Sequence, residues 1–163
     1  RALVRRGQED RPLHIRLRGE MQHRPELGFP REHHSRMQES GHFIRMQEVA
    51  GPPNSHTRLT LLEHNTHWAR YQLEPISGKR HQLRVHMAAL GIGILGDGLY
   101  PEVNDAPEGD FSRPLRLLAQ AIAFTDPLTQ QQRHFHSQYT LGALPPAPAP
   151  SGQQTWQGLP ANA

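Results

Sequence analysis

The sequence predicts an α+β fold: a mainly antiparallel mixed sheet with one flanking helix. Three observations predict it. Two segments of alternating apolar and polar residues within 57–76 are joined by a short polar link. One stretch, 80–90, carries an apolar repeat of helical period. A longer pair, 114–126 and 133–141, is separated by a turn of Asp, Pro and Thr.

The first 56 residues are rich in Arg, His, Glu, Gly and Pro and poor in apolar periodicity. Leu13, Ile15 and Leu17 alternate with His14 and Arg16, which predicts one short strand. His42 to Val49 reads as a second extended piece, with Phe43 facing inward. Pro52, Pro53 and Asn54 then break the chain. No chemical role emerges for Arg1 to Ser40.

Residues 57–76 predict a β-hairpin. Leu59 and Leu61 share one face of the first strand, and Ala69, Tyr71 and Leu73 share one face of the second. His64, Asn65, Thr66 and His67 form a link of hairpin length. A helix follows over 80–90, with Leu83, Met87 and Leu90 as its apolar stripe. Ser77 and Gly78 stand at its entrance, and Gly91 is placed to stop it. Residues 92–99 read as a Gly-punctuated link, and 104–112 as a polar loop.

Leu115, Leu117, Leu118, Ala121, Ile122 and Phe124 leave 114–126 little polar surface, which predicts a strand buried on both faces. Asp126 to Thr129 has turn chemistry, and Arg133 to Leu141 returns as a partner strand. From Gly142 the chain is rich in Pro, Ala, Gly and Gln, which predicts a disordered tail over 142–163 with Trp156 its lone large apolar residue. No internal repeat is visible.

At 163 residues the chain has room for one domain of ordinary size. Only 35% of it is hydrophobic, so the core is small. The absence of cysteine excludes disulfides and thiolate metal sites and fits a reducing cytoplasm, where the protein is expected. No apolar run is long enough to cross a bilayer as a helix, and no secretory signal is visible. Formal net charge is +3, and arginine dominates the basic set, because Lys79 is the only lysine. Arginine suits planar, two-pronged contacts to phosphate, so the balance fits RNA as a partner. A solvated basic surface explains the same numbers. A monomer is expected, although nothing in the sequence fixes the oligomeric state. The chain begins at Arg1 rather than Met, and further residues are expected upstream.

The most informative stretch runs Ile76–Ser77–Gly78–Lys79–Arg80–His81–Gln82–Leu83–Arg84–Val85–His86–Met87. It sets three positive charges, two histidines and a glutamine at a strand end and the first turns of a helix. A helix N-terminus with free N–H groups favours anions. Arg84 adjoins Leu83 on the apolar face, and a buried arginine needs a carboxylate. Two readings stand: a phosphate-binding corner, or an ion pair that holds two elements together. The residues alone favour the second.

The run from Gly78 to Met87, followed by Leu90–Gly91–Ile92–Gly93–Ile94–Leu95–Gly96–Asp97–Gly98–Leu99–Tyr100, resembles the C-terminal signature of RluA-like RNA pseudouridine synthases. Leu117 to Thr129 resembles the strand before that family's final hairpin, and the likeness covers about residues 45 to 141. The chain departs from the pattern at Gly93 and Gly98, where the family carries proline.

The resemblance implies that 1–141 is the C-terminal part of a pseudouridine synthase catalytic domain. Such enzymes isomerise uridine within ribosomal or transfer RNA without cofactor or metal. An aspartate engages the ribose while the base is flipped out of the helix. The resemblance assigns Arg84 to orienting that aspartate and Leu83 to packing near the flipped base. It places Lys79, Arg80, His81 and Gln82 at the entrance near the RNA backbone. The family's aspartate follows His-Arg-Leu. None of Asp10, Asp97, Asp105, Asp110 and Asp126 has Arg-Leu before it. Asp97 belongs to a turn, where it is expected to hydrogen-bond backbone. Ala2–Leu3–Val4 is read as the remnant of a strand that follows the nucleophile. This chain is therefore expected to be an inactive fragment lacking the nucleophile.

Three alternatives compete. A non-catalytic RNA-binding relative would keep the basic corner without the chemistry. A zinc site could be drawn from His33, His34, His81, His86, His134 and His136, but the spacing supplies no tight ligand set, and no metal is expected. Ser77 or Ser112 as a nucleophile lacks a Gly-x-Ser-x-Gly elbow.

Overall fold

A computed structural model of the chain describes residues 13–41, 44–104, 107, 110 and 112–148. Among the described residues seven strands make one sheet: β1 (His14–Gln22), β2 (Arg31–Glu39), β3 (Met46–Val49), β4 (Ser55–His64), β5 (Trp68–Pro75), β6 (Leu117–Thr125) and β7 (Gln132–His136). Their order is β3-β2-β4-β5-β1-β6-β7, and every neighbouring pair is antiparallel. Among the described residues one α-helix, α1 (Gln82–Ala89), packs on the face made by β2 to β5. The α+β expectation holds.

The hairpin falls where the alternation placed it. Leu59 pairs with Leu73 and Leu61 with Tyr71, which puts the apolar set on one face. Asn65 holds the link, since its Oδ1 accepts from the backbone N–H groups of His67 (2.9 Å) and Trp68 (2.8 Å). Met21, Leu59, Ala69, Tyr71 and Leu73 from the sheet meet Leu83 and Met87 from α1 and Ile92 and Ile94 from the link after it. A second, smaller cluster joins Met37 and Met46 to Val85 and Tyr100. α1 thus buries two stripes. Leu83 and Met87 form the one that periodicity reveals; Gln82, Val85 and His86 form another, largely polar, that it conceals.

Several boundaries differ from expectation. The first strand is much longer than Leu13 to Leu17. β2 has no counterpart in the sequence reading, because Met37 is its only apolar residue. Polarity hid a regular strand: Arg31, His33, Ser35 and Met37 are more buried than the residues between them. The extended piece at 42–49 narrows to β3, and Phe43 lies outside the described residues. β6 begins at Leu117 and is only half-buried, not covered on both faces. Its partner β7 ends at His136.

Contacts do not stop at Gly142. Arg70 Nη2 donates to the Gly142 carbonyl, Asn65 Nδ2 to Pro145 (2.9 Å) and Trp68 Nε1 to Pro146 (3.1 Å). Ala2 to Val4 and Trp156 lie outside the described residues.

The link after α1 is strapped to the sheet. Leu95 N–H donates to the Glu20 carbonyl (2.9 Å), and Arg116 N–H donates to the Leu95 carbonyl (2.8 Å). The Glu20 side chain is fully buried between Arg70 and Arg116. Gly96 turns sharply at φ +75°, and a Cβ there would lie 2.1 Å from the Pro114 carbonyl oxygen. Only glycine fits, because the conformation and the space both exclude a side chain. This turn delivers Asp97.

Candidate active-site corner

The signature residues occupy the corner where β5 ends, α1 begins and the Gly-rich link returns. Ser77 and Gln82 build the entrance. Ser77 Oγ accepts from His56 N–H (2.8 Å) and donates to Gln82 Oε1 (2.7 Å). Gln82 Oε1 also accepts from Lys79 N–H (3.1 Å), while its Nε2 donates to the His56 carbonyl (2.9 Å) and Thr57 Oγ1 (3.0 Å). Gln82 is therefore a buried peg between helix and sheet. Leu83 is likewise buried, packed in the main core.

Arg84 is held on both sides. Its Nε and Nη2 donate to Asp97 Oδ2 (2.8 Å) and Oδ1 (2.6 Å), a two-pronged ion pair. Its guanidinium carbon lies 5.3 Å from the centroid of the Tyr100 ring, a cation–π distance. Asp97 Oδ1 also accepts from the N–H groups of Leu99 (2.8 Å) and Tyr100 (3.1 Å). Burial works to raise the Asp97 pKa, but the Arg84 hydrogen bonds and these backbone donors outweigh it and hold the carboxyl below its usual value. Hydrogen bonding to Asp97 raises Arg84 in turn, against the pull of burial. The carboxylate that a buried arginine requires is thus Asp97. Sequence reasoning placed Asp97 in its backbone-bonding turn but did not connect it to Arg84.

Tyr100 completes the corner. Met46 N–H donates to its hydroxyl oxygen (2.7 Å), which leaves the hydroxyl proton for His81 Nδ1, 3.0 Å away. Burial, then Arg84 and Arg80, lower the His81 pKa and so favour the neutral ring. Lys79 is half-buried; Arg80 is exposed, 3.5 Å from Glu39. A cavity of about 530 Å³ opens beside Asp97, lined by Gly96, Gly98, Val103, Asn104 and Arg113 among others. A cleft of about 550 Å³ between Phe29, Leu61 and His64 contains no signature residue. Gly93 and Gly98, the two departures from the family pattern, have no left-handed φ.

His86 closes the inner side of α1. It is fully buried, with Ser35 Oγ at 3.0 Å and Ser55 Oγ at 2.9 Å from Nε2, and Thr57 Oγ1 at 2.8 Å from Nδ1. Burial, with the positive fields of His33, His56 and His34, pushes its pKa down to about 3.

No family model matches the chain. A dual-specificity RNA pseudouridine synthase RluA from Yersinia pestis is 45% identical over 67 residues, 40% of this chain and 31% of that protein. RNA pseudouridylate synthase domain-containing protein 1 of Homo sapiens is 38% identical over 80 residues, 47% of this chain and 24% of that protein. Over these segments the chain is similar in sequence to RluA-like pseudouridine synthases. The fold agrees with solved structures. Human RNA pseudouridylate synthase domain containing 1 superposes with a TM-score of 0.58 at 22% identity, over 77% of this chain and 54% of that one. The human domain containing 4 protein superposes at 0.57 and 19% identity, over 78% and 58%. The RluA-like sequence matches amount to less than a third of either curated relative.

Proposed function

We propose that this chain is the part of an RNA pseudouridine synthase that presents the arginine-bearing corner to RNA. The observation that carries the reading is Arg84, set within the family signature and fixed by Asp97 and Tyr100 beside an open cavity. A preorganised guanidinium whose partner Asp97 lines a cavity suits a carboxylate or a phosphate. Among the described residues Arg84 Nη1 has no hydrogen-bond partner, so one prong is available to a ligand. Lys79 and Arg80 lie on the same corner and supply charge toward an RNA backbone. The substrate class is a uridine in ribosomal or transfer RNA, and the place is the cytoplasm. In this reading the chain alone forms no pseudouridine, because Asp97 is already bound by Arg84 and two backbone N–H groups and cannot act as nucleophile.

The test reads the coding sequence upstream of the Arg1 codon for an in-frame His-Arg-Leu-Asp segment. If present, the longer protein should convert uridine in transcribed RNA. Arg84→Lys, which keeps the charge but loses the fork, should lower that conversion at least tenfold by roughly 1.4 kcal/mol or more of barrier. Conversion unchanged in the variant would overturn the role of Arg84.

A second reading is favoured by the Arg84–Asp97 pair itself. An arginine already neutralised within the chain suits a non-catalytic RNA-binding relative. Such a protein binds RNA in a salt-dependent way and yields no pseudouridine even with its upstream segment attached.

A further inference from the structure

Two clusters of histidine and carboxylate lie on opposite faces of the β2–β4 pair, and the reading above uses neither. On the outer face Glu32, His34 and His56 approach one another. Their carboxylate is already engaged, since Arg58 Nε donates to Glu32 Oε1 (3.1 Å), and a cation there would compete with a guanidinium. The inner face differs. His33 from β2, Glu48 from β3 and His86 from α1 converge behind the signature helix. Among the described residues, Glu48 is paired with histidines and with no arginine or lysine.

We propose that His33, Glu48 and His86 form a binding site for a zinc-class divalent cation that ties the polar β2–β3 edge to α1. Four features of the geometry carry this.

The ligand atoms are placed for it. His33 Nε2 lies 2.7 Å and His86 Nε2 3.8 Å from Glu48 Oε1, and all three ligand atoms fall within 4.8 Å of one another. A tetrahedral zinc with bonds of ~2.0–2.1 Å separates its ligand atoms by roughly 3.3 Å, between these two distances. The donor set of two imidazoles and one carboxylate suits zinc and its neighbours rather than calcium or magnesium.

The backbone beneath the ligands is fixed. β2 and β3 are laddered, with Met37 opposite Glu48, and α1 is packed on both. Small side-chain shifts therefore suffice to close the site.

His86 is oriented from behind. Thr57 Oγ1 sits 2.8 Å from its Nδ1 and is itself held by Gln82 Nε2 at 3.0 Å. In the tautomer that donates Nδ1–H to Thr57, Nε2 keeps its lone pair, 3.8 Å from Glu48 Oε1. Metal-bound histidines are positioned by such a partner on the far nitrogen.

A fourth position is at hand. Ser35 Oγ and Ser55 Oγ stand 3.0 and 2.9 Å from His86 Nε2 and could hydrogen-bond a metal-bound water. The His33 and Glu48 side chains are 17% and 25% exposed, so a cation can enter from their side. The sequence offered His33 and His86 but not Glu48, which the fold supplies from a strand of four residues.

The test uses the whole chain, stripped with a chelator and titrated with zinc alone in a calorimeter. One equivalent should bind and raise the melting temperature. His33→Asn and Glu48→Gln each should weaken binding by at least roughly tenfold. His34→Asn, on the outer face, should leave it unchanged. Cobalt in place of zinc should give the visible absorption of tetrahedral coordination. His33 and Glu48 are partly exposed, so both variants should melt like the metal-free parent. No binding by the parent overturns the proposal. So does binding that survives both inner variants, or binding lost in His34→Asn.

Discussion

Arg84 and Asp97 are locked together through two hydrogen bonds of 2.8 and 2.6 Å, which join the signature helix to the turn that follows it. The Asp97 side chain is 1% exposed, and among the described residues Arg84 and two backbone N–H groups compensate its charge. Removing one partner of such a pair leaves the other charge buried, which costs about 3–5 kcal/mol. Arg84→Ala should lower the urea unfolding free energy by about that amount. Asp97→Asn keeps the shape and the backbone acceptor and should cost less. An Arg84→Ala protein as stable as its parent would show that the pair contributes nothing net.

His86 should make the fold acid-sensitive at mild pH. The unfolded chain takes up a proton at this histidine near pH 6.5, whereas the folded chain resists until about pH 3. Between those values the unfolded state binds more protons, so stability falls as pH drops. The slope from this group approaches roughly 1.4 kcal/mol per pH unit. His33, 4.6 Å away ring to ring, and Glu48 face it from β2 and β3. Depressed carboxylates such as Asp97 lose their contribution at lower pH, below the ordinary carboxylate value of 3.8. Urea melts at several values between pH 7 and 5 check this, and a flat profile would remove the desolvated histidine from the argument.

Gly96→Ala should be damaging, while Gly41→Ala should not. A Cβ at position 96 meets the Pro114 carbonyl oxygen at 2.1 Å in a backbone of φ +75°, whereas one at position 41 meets nothing within 4 Å. Strain of this kind costs more than ~1 kcal/mol, and the displaced turn carries Asp97 with it. Thermal melts of the two variants give the comparison directly. Equal melting temperatures would mean that the turn can relax away from Pro114.

What the sequence made legible follows from where chemistry is repetitive. Leu59, Leu61, Tyr71 and Leu73 alternate strictly, so the central hairpin and its inward face could be read. Leu83, Met87 and Gly91 marked the helix and its stop, and Gly91 indeed turns at φ +72°. β2 could not be read, because its inward residues His33 and Ser35 are polar and are satisfied by partners far away in sequence. The same limit hid Gln82, whose two ends reach Ser77 on one side and Thr57 on the other. Arg84 announced its need for a carboxylate, yet only the fold of the Gly-rich link reveals that Asp97 meets it. The half-burial of β6 was missed because its apolar composition describes what the strand could cover, not what lies against it.

RNA binding should depend on the α1 corner more than on the far edge of the sheet. Lys79 and Arg80 lie at the helix entrance, on the side of β2 and β3, whereas β7 forms the opposite edge. Reversing both charges, Lys79→Glu with Arg80→Glu, should weaken binding to a single-stranded RNA about tenfold or more at low salt. Each lost phosphate contact lowers the slope of log affinity against log salt by about 0.7, so the pair should lower it by roughly 1.4. Arg24→Glu with Arg133→Glu changes net charge equally but away from the corner, and it should alter affinity far less. Fluorescence anisotropy across a salt series measures both variants. Equal losses in the two double variants would mean that the protein attracts RNA by net charge alone, and the corner would then have no special claim to the partner.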